Sequence, residues 1–464
     1  MRRQSFETLT LEKIVGGGQA LGTLADGRKC FVWGGLPGET VIVRITKKKS
    51  HFVEAVVEEV ISPSPDRIQP RDPDSYLSTS PWQIMPLEVE QAYKRQLIDD
   101  AFTLHNVALP AAIDIYCDNV AYGYRNKVEF SWYSEAGKYG DTLDLASFRR
   151  GSKGKVVVDG TSLAHPEINH LARAIRDLLR SKHVAARQLK TLLIRCDQSG
   201  SCVWQLYIKD RLSEIITADE AASLPAQGGE IIYSDPRSPA SRITERLARF
   251  GNTALTDTIL GVPFRYACEG FFQVNIPVYE QALRDMKEWV SRESSYWQLG
   301  HHQKIIRDPL KPSQIFSEVP LAADRPALDL YAGVGTIGLT IADGNVTLVE
   351  INEHAVAEMQ HNITELGRTD ARAVLAPSEQ ALDHITGKEI VIVDPPRAGL
   401  HTDVIATLLQ QLPPRILYLS CNPVTQARDV ALLQQHYRIA WHRGYNFFPR
   451  TPHIEHLVVL DKIS

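Results

Sequence analysis

The stretch DLYAGVGTIGL, residues 329–339, follows an apolar run and opens a helical pattern. Three glycines within it, Gly333, Gly335 and Gly338, let the backbone pass close to a ligand. Glu350 ends the next apolar run, about 20 residues further on, where a carboxylate can accept both hydroxyls of a ribose. The stretch therefore predicts a nucleoside cofactor. The glycine spacing fits a dinucleotide as well as S-adenosylmethionine, so it leaves the choice open.

Around this stretch, four short apolar runs alternate with helical patterns. The runs are PALDLYAG, NVTLVEIN, EIVIVDPPR and RILYLSCNP, and the helical patterns include AVAEMQHNITELG and DVIATLLQQL. Continuous apolar strands separated by helices indicate an α/β fold with a parallel sheet covered on both faces. Ligands of such sheets bind at the carboxyl ends of the strands. All four predicted strand ends carry polar, turn-forming or reactive residues.

Two of these strand ends carry candidate reactive groups. Asp394 is followed by two prolines, which stiffen the turn and could hold the carboxylate toward a planar group. Cys421 lies between Ser420 and Asn422, ahead of a helix whose N-terminus is expected to lower the thiol pKa. Each has an ordinary alternative, because an aspartate can simply occupy an exposed turn. A free cysteine, likewise, is more often a small buried apolar residue than a nucleophile.

The C-terminal segment FFPRTPHIEHLVVL, residues 447–460, holds two candidate bases. Glu455 and His453 come just before a terminal apolar strand. A carboxylate or an imidazole there can act as a general base. For either residue alone, a polar surface position is the more ordinary interpretation.

The remainder of the chain predicts two further domains. Residues 1–62 contain short β-rich runs with glycine-rich turns, typical of a small β-barrel. A proline-rich linker, 62–74, precedes a central α+β domain over 75–255, and the α/β domain occupies 256–464. Within the central domain the patterns predict helices at about 87–104 and 165–182 and paired strands over 189–208.

The charge balance excludes a protein that is basic over its whole surface. Lys and Arg number 51 against 55 Asp and Glu, a formal charge of −4. Nucleic-acid binding would then require local positive charge. Positive charge gathers at Arg44–Lys49, and residues 124–213 hold 16 Lys/Arg against 9 Asp/Glu, interleaved with aromatics. The pattern fits RNA binding, although composition alone slightly favours a half-buried sheet.

The six cysteines and the apolar runs exclude several other classes. No CxxC pair is present, so a zinc ribbon is not expected and no metal ligand is assigned. No run approaches the roughly 20 apolar residues of a membrane span. The N-terminal MRRQSFETLTLEK lacks the apolar core of a signal peptide. We expect a cytoplasmic protein.

Several of these motifs together resemble those of the RNA 5-methyluridine methyltransferase family, class I enzymes that use S-adenosylmethionine. DPPRAGL followed by YLSCNPVT is similar to the first signature of that family, and FFPRTPHIE to the second. FFQVN, residues 271–275, resembles its cofactor-contacting motif, and YRNKVEFS its central domain. The first 60 residues resemble a TRAM domain, an RNA-binding β-barrel. The resemblance covers almost the whole chain.

The resemblance implies roles for individual residues. Cys421 would be the nucleophile that adds to carbon 6 of uracil, and Glu455 the base that removes the proton from carbon 5. The residues implied to contact S-adenosylmethionine are Gln273, Tyr331, Glu350 and Asp394, with Thr336 as a further candidate. Asp394 would also contact the target uracil. The uridine would have to leave its base stack to reach the cysteine.

The sequence departs from the family pattern at three places. Many members bind an iron–sulfur cluster through four cysteines, but Asp72–Gln83 and Val158–Ser162 contain none, so no cluster is expected. The second signature has Asn446 and Arg450 where the family usually has Asp and an uncharged residue (Gln, His or Tyr). Residues 292–325 are longer than the usual connection, and include basic residues that could reach RNA or form a surface loop.

The resemblance implies methylation of a uridine in structured RNA by a monomeric enzyme. The TRAM-like segment favours 23S rRNA, and the T-loop of tRNA is the alternative target. Two further hypotheses stay open. Amino methylation at the DPP turn would not need Cys421 and Glu455, and a non-catalytic RNA-binding or folding module would need neither the cofactor nor the cysteine.

Overall fold

The computed structural model describes residues 5–137, 140–238, 242–292 and 325–463, which form three main β-sheets with flanking helices. The predicted fold class, an α/β sheet preceded by a β-barrel and a mixed α+β region, is confirmed. In these ranges, no helix combines the length and the apolar character needed to cross a bilayer.

The N-terminal region is a closed five-stranded barrel in the order β1-β2-β3-β5-β4. Its alternating apolar side chains point inward, so the five strands share one small core. Closure leaves no free sheet edge apart from the strand ends. The strands are β1 Phe6–Ile14, β2 Ala20–Thr23, β3 Lys29–Trp33, β4 Thr40–Lys48 and β5 Phe52–Ser62.

The central region is a seven-stranded sheet of order β13-β12-β11-β10-β7-β8-β9. One apolar face of α3 packs on it, as the helical spacing predicted. Its elements are β7 Lys127–Gly137, β8 Gly140–Phe148, β9 Lys155–Val157, α3 Pro166–Ser181, β10 Leu189–Cys196, β11 Cys202–Ile208, α4 Ala218–Ser223, β12 Gly228–Tyr233 and β13 Glu245–Gly251. The predicted strand pair at 189–208 is the β10–β11 hairpin.

Before this sheet lie the short helix α1, Tyr76–Thr79, and α2, Leu87–Leu104, at the predicted position, followed by β6, Ile115–Tyr116. After it, a β-hairpin and a helix lead toward the C-terminal region. These are β14 Ala254–Ile259, β15 Val262–Ala267 and α5 Ile276–Ser291.

The C-terminal region is an eight-stranded sheet of order β18-β17-β16-β19-β20-β22-β21-β6. Five strands, β18 to β20 in this order, are parallel. The four predicted apolar runs form β16, β17, β19 and β20, whereas β18 was not predicted. Its elements are β16 Ala327–Leu330, α6 Thr336–Ile341, β17 Val346–Glu350, α7 Glu353–Glu365, β18 Ala371–Leu375, β19 Ile390–Val393, α8 Thr402–Gln411, β20 Arg415–Ser420, α9 Pro423–Leu433, β21 Tyr437–Tyr445 and β22 Glu455–Lys462.

The regions share elements across the predicted boundaries. Strand β6, from the predicted central domain, pairs with β21 at the edge of the C-terminal sheet, and α2 packs against α9. The boundary at residue 256 falls inside β14. The division into 1–62, 75–255 and 256–464 therefore stays a prediction.

The two segments where the family's cluster ligands would lie are joined by hydrogen bonds. The Asp72 carboxylate accepts hydrogen bonds from the Ser162 backbone N–H at 3.0 Å and from the Ser162 hydroxyl at 2.9 Å. Gln83, which is fully buried, donates to Asp72 at 3.1 Å and to the Ser80 hydroxyl at 2.6 Å. A polar network of carboxylate, amide and hydroxyl groups thus connects the two segments.

Most of the aromatic residues interleaved with positive charge in 124–213 belong to the core rather than to a stacking surface. Tyr124, Phe130 and Trp132 are buried, whereas Phe148 is 63% exposed. Tyr139, one of the aromatics noted in the sequence, lies outside the described residues. The arginines of α3 form ion pairs with Asp159, Asp177 and Asp144. The half-buried sheet was therefore the better interpretation of most of this segment.

Candidate functional site

The carboxyl ends of neighbouring parallel strands form the site, as expected for this fold. Strand β16 leads into the glycine-rich turn, β17 ends at Glu350, β19 ends just before Asp394 and β20 just before Cys421. A pocket of about 320 Å³, including its open mouth, lies at this edge. Its lining residues are Phe271, Phe272, Gln273, Tyr279, Tyr331, Ala332, Gly333, Val334, Thr336, Ile337 and Asp394.

The glycine-rich turn and Glu350 are held together by backbone hydrogen bonds. The Gly333 N–H donates to Glu350 Oε2 at 3.0 Å, and the Asn352 N–H donates to Oε1 at 2.8 Å. Each carboxylate oxygen keeps a further lone pair for a ligand. Gly333 has φ +58°, and no heavy atom lies within 4 Å of the position a Cβ would occupy. The turn therefore presents bare backbone beside a fixed carboxylate.

Asp329 and Gly338 hold the start of α6 against the sheet. Asp329 Oδ2 accepts a hydrogen bond from the Gly338 N–H at 2.8 Å, and its buried Oδ1 has no hydrogen-bond partner. Burial raises the pKa of this carboxyl to about 8. A Cβ at Gly338 would lie 2.5 Å from Leu348 Cδ2. The third glycine is thus needed for packing, not for ligand approach.

Two aromatic residues shape the pocket wall. The Tyr279 hydroxyl of α5 is 2.8 Å from the Thr336 hydroxyl, and burial raises the pKa of Tyr279 well above its usual range. Tyr331 adopts φ +68°, a conformation that is strained for a residue with a side chain. Such strain is concentrated at functional sites. Tyr279 was missed by sequence reasoning, although it lies four residues after Asn275 of FFQVN.

Asp394, which is partly buried, and Glu455, which is buried, are two carboxyl groups that influence each other. Burial raises the pKa of Asp394 to about 7. Burial, and then the charge of Asp394, raise the pKa of Glu455 well above its usual range, while Arg397 opposes the shift. These influences favour the neutral form of Glu455 in the ligand-free protein. Two nearby acids of this kind are typical of catalytic sites.

Cys421 is half-buried beside the same two acids. Burial, followed by the carboxylates of Glu455 and Asp394, raises the pKa of its thiol to about 12, against a smaller opposing effect of Arg397. The expectation that the helix N-terminus lowers this pKa was therefore wrong for the ligand-free protein. Pro423 at the start of α9 offers no N–H, and the Asn422 side chain already accepts a hydrogen bond from the Val424 N–H. Burial and acidic neighbours outweigh the helix.

Arg397 connects the two signature segments, and sequence reasoning did not single it out. Its guanidinium lies 2.8 Å from His453 Nδ1, and its carbonyl accepts a hydrogen bond from Asn422 Nδ2 at 2.8 Å. Burial and the Arg397 charge lower the pKa of His453 to about 4. His453 is therefore neutral, and it is held by Arg397. The position of Arg397 directly after the DPP turn was the sequence signal that could have identified it.

The unusual Asn446 and Arg450 belong to a buried polar network with α2. Lys94 Nζ donates to Glu90 at 2.7 Å, to Asn446 Oδ1 at 2.6 Å and to the Phe448 carbonyl at 3.1 Å. Glu90 accepts from Asn446 Nδ2 at 3.1 Å and from the Arg450 N–H at 2.9 Å. Glu90 and Lys94 are fully buried. Asn446 and Arg450, which differ from the family signature, thus anchor the segment that leads to Glu455.

The structure brings most of the predicted site residues to one place. Gln273, Tyr331, Thr336 and Asp394 line the pocket, and Glu350 reaches it through the Gly333 backbone. The carboxylates of Glu455 and Asp394 raise the pKa of the Cys421 thiol, and the Asp394 charge raises the pKa of Glu455. The basic residues predicted within 292–325 lie almost entirely outside the described residues.

Comparisons with known proteins agree with this geometry. Residues 316–463 match the family model of tRNA (uracil-5-)-methyltransferases. A relative from Nitratidesulfovibrio vulgaris, named as an RNA methyltransferase, is 27% identical, covering 98% of this chain and 95% of its own. A second relative, from Thermosynechococcus vestitus and with the same kind of name, is also 27% identical, covering 97% of each chain.

A solved structure shares the fold over nearly its whole length. The tRNA (uracil-54, C5)-methyltransferase of Pyrococcus abyssi, solved in complex with S-adenosyl-L-homocysteine, aligns with a TM-score of 0.74 at 20% identity. The alignment covers 97% of this chain and 99% of that one. The match to the family model covers the strand ends that carry Tyr331, Asp394 and Cys421, and the solved structure shows that this chain shares its fold.

Proposed function

We propose that this protein transfers a methyl group to carbon 5 of a uridine in 23S rRNA, with Cys421 as nucleophile and Glu455 as base. The observation that carries the proposal is the convergence of the Cys421 thiol with the carboxyl groups of Asp394 and Glu455 beside the pocket at the glycine-rich turn. The two alternative functions leave part of this site without a role. Methylation of an amino group would not use the thiol, and a non-catalytic RNA-binding module would not use the pocket. We further infer a monomer acting in the cytoplasm.

The pocket residues fit S-adenosylmethionine, the methyl donor of this family. Glu350 has lone pairs free for two ribose hydroxyls, and the exposed Ile351 beside it offers an apolar surface to a base. Gln273, Tyr331 and Thr336 line the pocket. The acidic groups favour a positively charged ligand. When bound, S-adenosylmethionine supplies an electrophilic methyl group on a cationic sulfur.

The residues of the chain carry the remaining chemistry. The Cys421 thiol loses its proton to solvent, and the thiolate adds to carbon 6 of uracil, which makes carbon 5 nucleophilic. After carbon 5 has received the methyl group, ionised Glu455 removes its proton. The bond between carbon 6 and sulfur then breaks, and the thiolate leaves. Asp394 is placed to orient the uracil and to modulate both pKa values.

An exposed basic surface between the barrel and the central sheet supports RNA as the substrate. The loop after β8 lies on the barrel, since a Cβ at Gly151 would be 2.6 Å from Thr46 Cγ2. The exposed Lys48 and Lys49 at the end of β4 thereby join the exposed Arg149 and Lys153 of that loop. We name these four residues the barrel–loop patch. Such a patch can follow a phosphate backbone.

The tRNA T-loop uridine is the second candidate. The Pyrococcus abyssi tRNA enzyme aligns over 99% of its length, which includes the region of the barrel. A barrel is therefore compatible with either RNA. A direct comparison of adduct formation with 23S rRNA and with tRNA decides between the two substrates.

A trapping experiment tests the proposed chemistry. The protein is incubated with labelled S-adenosylmethionine and with 23S rRNA or tRNA carrying 5-fluorouridine, whose fluorine cannot leave as a proton. We expect a methylated covalent protein–RNA adduct with 23S rRNA, and no adduct in Cys421→Ala. An adduct with tRNA alone would replace the first substrate by the second. Methylation that persists in Cys421→Ala would refute the nucleophile.

A test of the role of Glu455 uses RNA without 5-fluorouridine and a matched control variant. Glu455→Gln should accumulate the methylated adduct because the proton on carbon 5 has no acceptor. Glu379→Gln, on the turn after β18, changes the same chemical group outside the pocket lining and should release product normally. Normal product release by Glu455→Gln would contradict its role as base.

The raised thiol pKa gives a further test. We expect Cys421 in the ligand-free protein to be alkylated with an apparent pKa near 12. Saturation with S-adenosylmethionine should lower that pKa, because a positive charge favours the thiolate. Neutral S-adenosylhomocysteine is the matched control and should lower it much less. Equal effects of the two ligands would show that the charge has no influence on the thiol.

A further inference from the structure

A second group of reactive side chains lies in the central region, away from the pocket. His165, Glu167 and Cys196 each offer one atom that can bind a metal: an imidazole nitrogen, a carboxylate oxygen and a sulfur. These three atoms all lie within 4.8 Å of one another. His165 is the N-cap of α3, Glu167 lies in its first turn, and Cys196 ends β10. The proposed methyl transfer uses none of these residues. We call the group the α3 cluster.

A fourth side chain extends the cluster. Cys202, the first residue of β11, is paired directly with Cys196 across the hairpin, a position that places the two Cβ atoms about 5 Å apart. A Cβ at Gly200 would lie 3.5 Å from Glu167 Cγ, so Glu167 covers the turn of the hairpin.

The donor atoms of this cluster match the preferences of one metal. Two sulfurs, an imidazole nitrogen and a carboxylate oxygen are the ligands of tetrahedral zinc sites, with bonds of about 2.0–2.3 Å. Ligands around such an ion lie about 3.5 Å from one another. The donor atoms of His165, Glu167 and Cys196, which lie within 4.8 Å of one another, therefore need only a small contraction. Cys202 is placed beside Cys196 by the strand pairing. Calcium and magnesium, which require oxygen ligands, do not suit the two thiols.

We propose that His165, Glu167, Cys196 and Cys202 form a structural Zn²⁺ site. The ligands come from two segments about 30 residues apart, and none forms a CxxC pair. This arrangement explains why cysteine spacing gave no sign of a metal site. Four protein ligands would leave no open position for a substrate, which is typical of a structural site.

The site would brace the connection between the central sheet and the pocket. The His165 N–H donates to the Arg125 carbonyl at 3.0 Å, and the Cys196 N–H donates to the Asn126 carbonyl at 2.9 Å. The Asn126 side chain in turn donates to the Gln273 carbonyl at 2.9 Å. An ion at the α3 cluster would thus fix the segment that supports a pocket residue. The inference does not depend on which RNA is methylated.

Metal binding by the full chain tests the proposal. The reduced protein is stripped with a chelator and then titrated with Co²⁺, which adopts the same geometry and absorbs light. We expect one equivalent to produce the visible bands of a tetrahedral ion and a thiolate-to-cobalt charge-transfer band. Zn²⁺ should abolish both bands stoichiometrically. Reduced wild-type protein that shows neither band would overturn the proposal.

Variants assign the ligands. Cys196→Ser and Cys202→Ser should weaken the charge-transfer band and lower Zn²⁺ affinity at least about tenfold. Glu167→Gln changes an exposed side chain, so it keeps the test decisive if a cysteine variant fails to fold; it should lower the affinity while leaving the charge-transfer band. Cys117→Ser, a partly buried thiol elsewhere, is the control and should change nothing. Undiminished affinity in all three cluster variants would refute the site.

Discussion

At the scale of single residues, the site concentrates carboxyl groups in a place where water is excluded. Asp329 and Asp394 are held by the sheet in surroundings that favour their neutral forms, with pKa values of about 8 and about 7. The identity of these residues could be predicted from the sequence, because each follows or ends an apolar run. Their raised pKa values could not, since these depend on neighbours that only the folded sheet brings together.

These raised pKa values predict how stability depends on pH. Both carboxyls have a pKa near 3.8 when unfolded, so between about pH 4 and pH 7 the native protein holds more protons than the unfolded chain. The free energy of unfolding should therefore fall as the pH rises through this window, by up to about 1.4 kcal/mol per pH unit for each group. Urea unfolding of the ligand-free protein at several pH values measures the slope.

The variant Asp394→Asn provides the comparison for that experiment. It removes one of the two titrating groups, so its stability should fall less steeply from pH 4 to pH 7 than that of the wild type. Asp100→Asn, at an exposed position of α2, should leave the slope unchanged. A wild-type stability that rises through this window, after correction with the control, would contradict the raised pKa values.

Two glycines of the same turn should respond differently to alanine. Gly338→Ala places a methyl group 2.5 Å from Leu348 Cδ2 and 2.9 Å from Asp329 Oδ2, so we expect a loss of about 1–3 kcal/mol in the free energy of unfolding. Gly333→Ala meets open space but must keep φ +58°, which costs about 1–2 kcal/mol.

Ligand binding separates these two effects. Gly333 faces the pocket, so its substitution should weaken the binding of S-adenosylhomocysteine, measured by calorimetry, in protein that is still folded. Gly338→Ala should reduce stability with little direct effect on contacts in the pocket. The opposite pattern would show that the third glycine, and not the first, approaches the ligand.

At the scale of elements, α2 holds the segment that carries the proposed base. Its buried Glu90–Lys94 pair has hydrogen bonds to Asn446, to Arg450 and to the Phe448 carbonyl. Lys94→Met leaves the Glu90 carboxylate buried without its charge partner, so we expect a loss of about 3–5 kcal/mol in urea unfolding.

A double variant distinguishes charge from packing. Glu90→Gln combined with Lys94→Met removes both charges and should recover part of the lost stability. Lys94→Met should also lower the rate of product release, since the segment before Glu455 loses its anchor. Arg95→Met, at the neighbouring exposed position, is the control and should be nearly neutral. If the double variant lost as much stability as the sum of the losses in Glu90→Gln and Lys94→Met alone, the two side chains would not be energetically coupled.

The sequence predicted the elements better than their connections. Apolar runs and helical spacing identified four of the five parallel strands and α2, because these patterns report burial directly. The partly exposed strand β18 was missed. The two-residue strand β6 has no such pattern, and its place beside β21 depends on packing between distant segments. The same limit applies to Glu90 and Lys94, whose spacing on α2 equally fits an exposed ion pair.

At the scale of the whole molecule, the barrel–loop patch is a local group of exposed basic residues. Many basic residues of 124–213 are engaged within the protein, as in the ion pairs of Arg176 and Arg180. The barrel–loop patch keeps Lys49 and Lys153 exposed. RNA binding should therefore weaken with salt, with a small slope set by a few phosphate contacts.

Single substitutions in the patch test this placement. Lys49→Ala and Lys153→Ala should each reduce the slope of log affinity against log salt concentration by about one, and weaken binding similarly for different RNA sequences. Lys388→Ala removes an exposed lysine at the amino ends of the parallel strands and should leave the slope unchanged. Filter binding over a range of salt concentrations gives the slopes. An unchanged slope in both patch variants would place the RNA elsewhere.

The hydrogen-bonded network around Asp72 has a consequence for how the protein is made. Asp72, Ser80, Gln83 and Ser162 join two distant segments with groups that are present as soon as the chain has been synthesised. This junction requires no iron delivery and no assembly machinery, and oxygen does not attack its carboxylate, amide and hydroxyl groups. A cell starved of iron could therefore complete this junction as readily as one with ample iron.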